Sequence, residues 1–389
     1  MPPTRKPSSA KKPLPSYALL KKTGRSKAGP KKAGPKKADI AKADLAKMGL
    51  ARSPRSKTAR LPRSGRLEAA ARADLVRPAP APGVAANGVY WLPVPGWDFP
   101  WLWGGFSARM GGLSHAYSAD EPMGEPSFGG ELNLGFTAED PRETVAANRR
   151  LLVDAITGRA STPLITVRQF HSNLLVHATA ADAARERPRR ADGLVCAEPG
   201  LLLGVQTADC IPVLVVDRKR RAVGAFHAGW RGTVKRIVET GIGRMRLEFG
   251  SRPADLIAAI GPGIGPCCYA VGEEVLSEFE SQFDYARGLF REVYDSDPIR
   301  QRYPMLFLNQ RPPGHGPAGS QLHVDLIEAN RRQLLACGLP ANSIQIVGGC
   351  TQCNPQLFFS HRGAQGRTGR MLAVVGVRSA MKSRVASRG

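Results

Sequence analysis

Three side chains that can ligate a metal or take part in nucleophilic catalysis, His171, Cys210 and His227, stand in or beside runs that read as strands. Two of them lie in the stretch 201–232, LLLGVQTADCIPVLVVDRKRRAVGAFHAGWRG. Its apolar runs, 211–216 and 222–226, are β-branched or small and bracket a basic turn, which predicts a buried β-hairpin. With a two-residue loop at Arg218–Lys219, antiparallel register sets Cys210 opposite His227, with Cβ atoms about 4.5–5.5 Å apart. A slip of one residue would turn the pair onto opposite faces.

With His171, the pair makes a His₂Cys set that suits Zn²⁺ and leaves a fourth coordination position open to water. The same atoms allow a metal-free reading, in which Cys210 is a nucleophile, His227 its base, and Asp209 or a backbone group the orienting partner. Taken singly, each residue also has a plain structural reading, a buried thiol or a hydrogen-bonded imidazole. Three arginines, Arg109, Arg231 and Arg362, stand beside glycines at element ends. Convergence of two or three of them would clamp a phosphate, whereas separately they are solvated surface groups. Directly after His227 the sequence AGWRG runs into a helix-spaced segment with Val234, Ile237, Val238 and Met245 on one face. The pair is thus expected beside a helix N-terminus that suits an anion. Cys350 and Cys353 form a CxxC for which no second half is visible; one or both read as buried apolar residues, with a redox or metal role as the alternative. The adjacent Cys267 and Cys268 are not expected to bridge to each other.

The elements that must position these groups alternate irregularly between strands and helices, which predicts an α/β fold with mixed sheets. Strands are expected at 106–109, 131–135, 163–178, 194–196, 254–260, 343–347 and 371–377. Helices are expected from Pro141 onward, at 272–283 and at 325–337, the last stopped by Gly338. His171 falls inside the 163–178 strand region. Residues 284–321, rich in Pro, Gly and Arg, read as an elaborated surface loop. Four of the five tryptophans fall between 88 and 113, as core or pocket-wall residues.

The folded part is expected from about residue 86 to 380. Residues 1–85 carry 22 Lys and Arg against 4 Asp and Glu, so they hold +18 of the chain's +24. This segment reads as a disordered tail. Nucleic acid would be contacted only through it, and Tyr17 is its one aromatic residue, so a solvated tail is the preferred reading. Seven cysteines in 389 residues suggest a reduced cytoplasmic chain rather than a disulfide framework. No run is apolar and long enough to span a membrane, and residues 16–20 are too short for a signal-peptide core.

The segments QTADC and AFHAGWRG, with ARMGGLS, LNLG, NRRLL, RQFHS, IGPGIGPCCYAVGEEV, HVDL and FFSHR…TGRM, resemble the laccase-domain (multicopper polyphenol oxidase-like) family over about residues 88–378. The resemblance implies a single layered α/β domain with duplicated β-α-β elements. It implies a zinc-dependent purine nucleoside phosphorylase acting on adenosine, inosine, guanosine and methylthioadenosine, with adenosine deaminase activity. It places the metal ligands at His171, Cys210 and His227, and the partners are purine nucleosides and inorganic phosphate. Zn²⁺ stands ahead of Cu²⁺, since nothing here supplies the His-rich stretches of a multicopper oxidase. Phosphorolysis would need donors for phosphate, offered by Arg109, Arg231 and Arg362. Deamination would need a metal-activated water at C6 of adenine. Asp209 is assigned to acid–base catalysis or to orienting the metal site, and Asn133 to a hydrogen bond with ribose or base. Phe170-His171-Ser172 stands where the family usually has V-H-G, and His361 stands where an aromatic usually precedes the arginine. The competing readings are a metal-free cysteine hydrolase or amidase acting on peptidoglycan precursors, a copper-dependent polyphenol oxidase, and a nucleic-acid-associated protein dominated by its tail.

Overall fold

In the computed structural model the described residues are 67–117, 130–294 and 320–379. Two six-stranded mixed sheets face each other. The first runs in the order β2 (Gly83–Val84), β3 (Tyr90–Pro93), β4 (Leu102–Ser107), β17 (Met371–Val377), β10 (Leu202–Thr207) and β7 (Leu164–Thr166). The second runs β16 (Ile344–Ile346), β13 (Leu256–Ile260), β11 (Ile211–Asp217), β12 (Ala222–Ala228), β9 (Gly193–Cys196) and β8 (Leu175–His177). In the first sheet only the β7–β10 edge pair is parallel; in the second both edge pairs, β8–β9 and β13–β16, are.

Three apolar layers account for this arrangement. Between the sheets, Leu214, Val216, Val223 and Ala225 meet Phe106, Leu203, Val205, Ala373 and Val375. The other face of the second sheet (Val213, Val215, Phe226, Ala258) is covered by helix α4 (Ile237–Phe249) and by α5 (Glu273–Gln282) and α6 (Leu326–Ala336). The outer face of the first sheet (Trp103, Leu202, Leu372, Val374) is covered by α1 (Arg142–Thr157). The layer order is therefore helix, sheet, sheet, helices. Strands covered on both faces need no polar alternation, and β11, β12 and β17 are buried along their whole length. The mixed α/β class agrees with the sequence. Two short pieces complete the described helices, α2 (Ala180–Ala183) and α3 (Trp230–Val234). No helix among the described residues is long and apolar enough to cross a membrane.

Several expectations are corrected. The hairpin register is Pro212 opposite His227 and Asp217 opposite Ala222, two residues away from the expected pairing. The turn holds four residues, because Asp217 Oδ1 accepts the backbone N–H groups of Lys219 and Arg220, and Arg221 takes a left-handed φ of 50°. A two-residue shift keeps the alternation of faces, so Cys210 and His227 stay on one side. The 163–178 region is not one strand. It crosses between the sheets, β7 in the first and β8 in the second, and His171 lies on the crossover.

Residues 67–85 belong to the folded body rather than to the tail. β1 (Ala69–Ala71) pairs with β14 (Phe290–Tyr294), which also pairs with β15 (Gln321–Val324), and Arg77 bonds Asp325. Part of the expected 284–321 loop is thus strand, and the remainder, 295–319, lies outside the described residues, as does the tail expectation for 1–66. A short β5 (Met110–Gly112) pairs with β6 (Gly130–Glu131).

Candidate metal and nucleoside site

His227 lies near the end of β12, with the parity of Val223 and Ala225, which face the first sheet. Cys210 immediately precedes β11. His171 enters from the crossover. The site therefore forms where the seam between the two sheets opens. One ligand atom each from His171, Cys210 and His227 lie within 4.8 Å of one another, with Cys210 Sγ 3.7 Å from His171 Nε2 and the two imidazole ring centres 5.1 Å apart.

A carboxylate that the sequence reading did not single out holds this group together. Asp192, fully buried at the start of β9, takes His227 Nδ1 at 2.9 Å, the backbone N–H groups of Phe170, His171 and Ser172, and the Ser172 hydroxyl at 2.7 Å. It thereby fixes the ring of one histidine and the backbone of the other, in the manner of the carboxylate–histidine pairs of metal sites. His171 needs that support, since its φ is 62°, a region costly for a side-chain-bearing residue. Burial pushes the Asp192 carboxyl up, but the bonds from His227 and Ser172 outweigh it and hold it well below the ordinary carboxylate range. The only sequence signal was an Asp-Gly pair closing a polar loop before a strand.

Asp209 is the second strained residue, with φ 86°. Its Oδ1 accepts from the Thr351 hydroxyl and its Oδ2 from the Arg362 backbone N–H, both at 2.6 Å, and its carbonyl accepts from Ile264 N–H. With both carboxylate oxygens engaged, Asp209 orients the bend that presents Cys210. Burial raises the Cys210 thiol, but the positive charge on His227 and hydrogen bonds with both histidines bring it down to about 6. Burial lowers His227, but the charge of Cys210 and the bond to Asp192 bring it up to about 9. The pair is thus polarised toward thiolate and imidazolium.

Gly229 leaves the space that the group requires. A Cβ there would lie 2.8 Å from Cys210 Sγ and 3.0 Å from His171 Cδ2. The soft thiolate, the two imidazoles and the glycine-lined cradle together fit a Zn²⁺ ion with one position open.

A cavity of about 510 Å³ is lined by residues that include Trp230 and Arg231, which follow Gly229 in the chain, with Tyr269, Glu274 and Arg362. Arg231 is exposed and stacks over Trp230 at 4.3 Å. The Arg362 guanidinium donates to Ala270 O at 2.9 Å and lies over Tyr269 at 5.3 Å. Burial, reinforced by the charge of Cys210, pushes the Tyr269 hydroxyl well above its ordinary value, so it stays protonated.

The expected helix N-terminus is weaker than the sequence implied. α3 ends after one turn, Arg236 turns left-handed (φ 59°), and α4 starts anew. The positive charge at this place is carried by the guanidinium groups of Arg231 and Arg362. Two further candidates are placed elsewhere. Arg109 bonds Glu131 and the carbonyls of Tyr117 and Pro355. Asn133 is completely buried, and its amide bonds Gly135, Asp140 and the Arg370 backbone, which leaves no polar atom for a sugar.

Residues 104–378 match the family model described as multi-copper polyphenol oxidoreductase laccase. The chain is 35% identical over 240 residues to a purine nucleoside phosphorylase of Bacteroides thetaiotaomicron, covering 60% of this chain and 80% of the relative. It is 34% identical over 171 residues to the adenosine deaminase RL5 of an unknown prokaryotic organism, covering 44% and 56%. The crystal structure of YlmD from Geobacillus stearothermophilus superposes with a TM-score of 0.58 at 30% identity, covering 77% of this chain and 99% of that one.

Proposed function

Starting from a chain that belongs to the multi-copper polyphenol oxidoreductase laccase family, we propose that it is a zinc-dependent purine nucleoside phosphorylase that also deaminates adenosine. The observation that carries the reading is the convergence of His171, Cys210 and His227 within 4.8 Å, together with a cavity lined by two exposed arginines. Seven histidines in the whole chain make a poor supply for several copper centres. The trio suits one ion.

His171, Cys210 and His227 would hold Zn²⁺, which supplies a Lewis acid with an open coordination position. Arg231 and Arg362 bind inorganic phosphate and hold its charge as one oxygen attacks C1′ of the ribose. The C1′–N bond breaks and its electron pair leaves with the purine. Tyr269, kept protonated by burial, donates a hydrogen bond to that base. In deamination, water adds at C6 of adenine and ammonia leaves. Asp192 and Asp209 act as positioning residues for the ligands.

The test compares zinc content and turnover in wild type and Cys210→Ala. Loss of one zinc equivalent, together with adenine, inosine and hypoxanthine formation from adenosine, supports the reading. Full turnover in the variant overturns it. The depressed Cys210 thiol also favours a second reading, a metal-free cysteine nucleophile. That reading predicts hydrolytic activity that survives chelation and is destroyed by thiol alkylation.

A further inference from the structure

Away from the trio, four sulfur atoms meet. The Sγ atoms of Cys267, Cys268, Cys350 and Cys353 all lie within 4.8 Å of one another. Cys353 Sγ is 3.5 Å from that of Cys267 and 3.4 Å from that of Cys268. The CxxC at 350–353 therefore has its second half after all, in the adjacent pair 267–268, more than eighty residues earlier in the chain. All seven cysteines are free thiols.

From this geometry we propose that the four cysteines form a structural Zn²⁺ site, separate from the His171–Cys210–His227 group. A tetrahedral zinc thiolate has Zn–S bonds of about 2.3 Å and hence S···S edges of about 3.8 Å, close to the separations found. An iron–sulfur cluster would set several inorganic atoms between the thiolates and hold the sulfurs farther apart. Four sulfurs around a single point select a soft, tetrahedral ion. The surroundings favour thiolates over thiols. Arg72 Nη2 donates to Cys268 Sγ at 3.0 Å, and the Gly265 backbone N–H donates to Cys350 Sγ at 3.3 Å. Such donors orient and stabilise metal-bound thiolate. Gly265 is pressed against the group, since a Cβ there would stand 3.2 Å from Cys350 Cβ and 3.3 Å from Cys267 Sγ. Binding releases the remaining thiol protons to solvent.

The site would tie together three stretches of chain. The 261–270 loop carries Cys267 and Cys268 and continues into Tyr269 on the cavity wall. The loop after β16 carries Cys350, beside Thr351, whose hydroxyl holds Asp209. Arg72 brings in the N-terminal segment. Gly263 and Cys350 already form a β-bridge, and Thr351 N–H bonds Gly263 O at 3.0 Å. The ion would add a rigid link to a junction that Ile264, Leu75 and Tyr269 already pack.

The experiment is zinc analysis of the full-length protein purified under reducing conditions, as wild type, Cys353→Ser, Cys210→Ala and the double variant. The expected contents are two zinc ions per chain in wild type, one in each single variant and none in the double. Cys353→Ser should also lower the thermal midpoint by about 5 °C or more, since structural zinc is folding energy. Cobalt substitution of Cys210→Ala should give the intense visible bands of a tetrahedral tetrathiolate, which requires no change in the four cysteines. A single zinc in wild type that disappears in Cys210→Ala overturns the proposal and leaves the catalytic reading intact. Iron in place of zinc, or a disulfide among the four cysteines in protein purified without reductant, overturns it as well. Failure of the catalytic reading alone would appear as a single zinc in wild type that is kept in Cys210→Ala and lost in Cys353→Ser.

Discussion

Asp192 touches both histidines of the candidate site, because one buried carboxylate bonds the His227 ring and the His171 backbone. Asp192→Asn keeps the size of the side chain and removes the charge and one acceptor. Outer partners of this kind are worth about 10–100-fold in metal affinity, so a competing-chelator titration should show zinc binding weakened by that factor. Unchanged affinity in a folded variant would contradict the role. Gly229→Ala is compatible with the backbone (φ −65°, ψ 167°) but places a Cβ 2.8 Å from Cys210 Sγ. It should reduce zinc occupancy and turnover at least tenfold while the circular dichroism spectrum stays native. At this scale the sequence singled out His171, Cys210 and His227, which the structure brings together, because Cys and His of the right spacing are few. It hid Asp192, since a lone aspartate before a strand looks like loop solvation. It also hid the four-sulfur group, whose halves become neighbours only through the contact between two distant loops.

Elements show why a nearly right register was sufficient. The sequence-based turn was two residues too tight because Asp217 caps a longer loop with its own side chain. The error was even, so Cys210 and His227 kept a common face. The expected strand through His171 failed for a different reason. Apolar spacing cannot distinguish one strand from a crossover that leaves one sheet and joins the other. Helix α4 presses on β12 through Gly241, where a Cβ would fall 2.3 Å from the Phe226 ring. Gly241→Ala therefore overpacks this junction and should cost about 1–3 kcal/mol in urea unfolding. A cost near zero would mean that α4 can slide, and with it α3 and Trp230.

For the molecule as a whole, composition and alternation reached the α/β class but not the order of layers. Strands buried on both faces look alike whether covered by helices or by a second sheet. The N-terminal boundary was misplaced because residues 67–85 are rich in alanine and proline yet paired, through β1 to β14 and through Arg77 to Asp325. A chain starting at residue 86 should accordingly melt below one starting at residue 67. Equal midpoints would show that this segment contributes nothing to the fold. Phe106, deep between the sheets, is expected to cost about 3–5 kcal/mol on replacement by alanine, with zinc content unchanged in the folded fraction.

We propose that the His₂Cys group and the arginine-lined cavity use phosphate to split a purine nucleoside. The most direct measurement is product analysis of inosine incubated with the purified protein, with and without inorganic phosphate, before and after zinc removal. Hypoxanthine and ribose 1-phosphate should form in equal amounts only when phosphate and zinc are both present, and zinc should restore activity to the stripped protein. Hypoxanthine released at the same rate without phosphate, or by protein stripped of zinc, would contradict it.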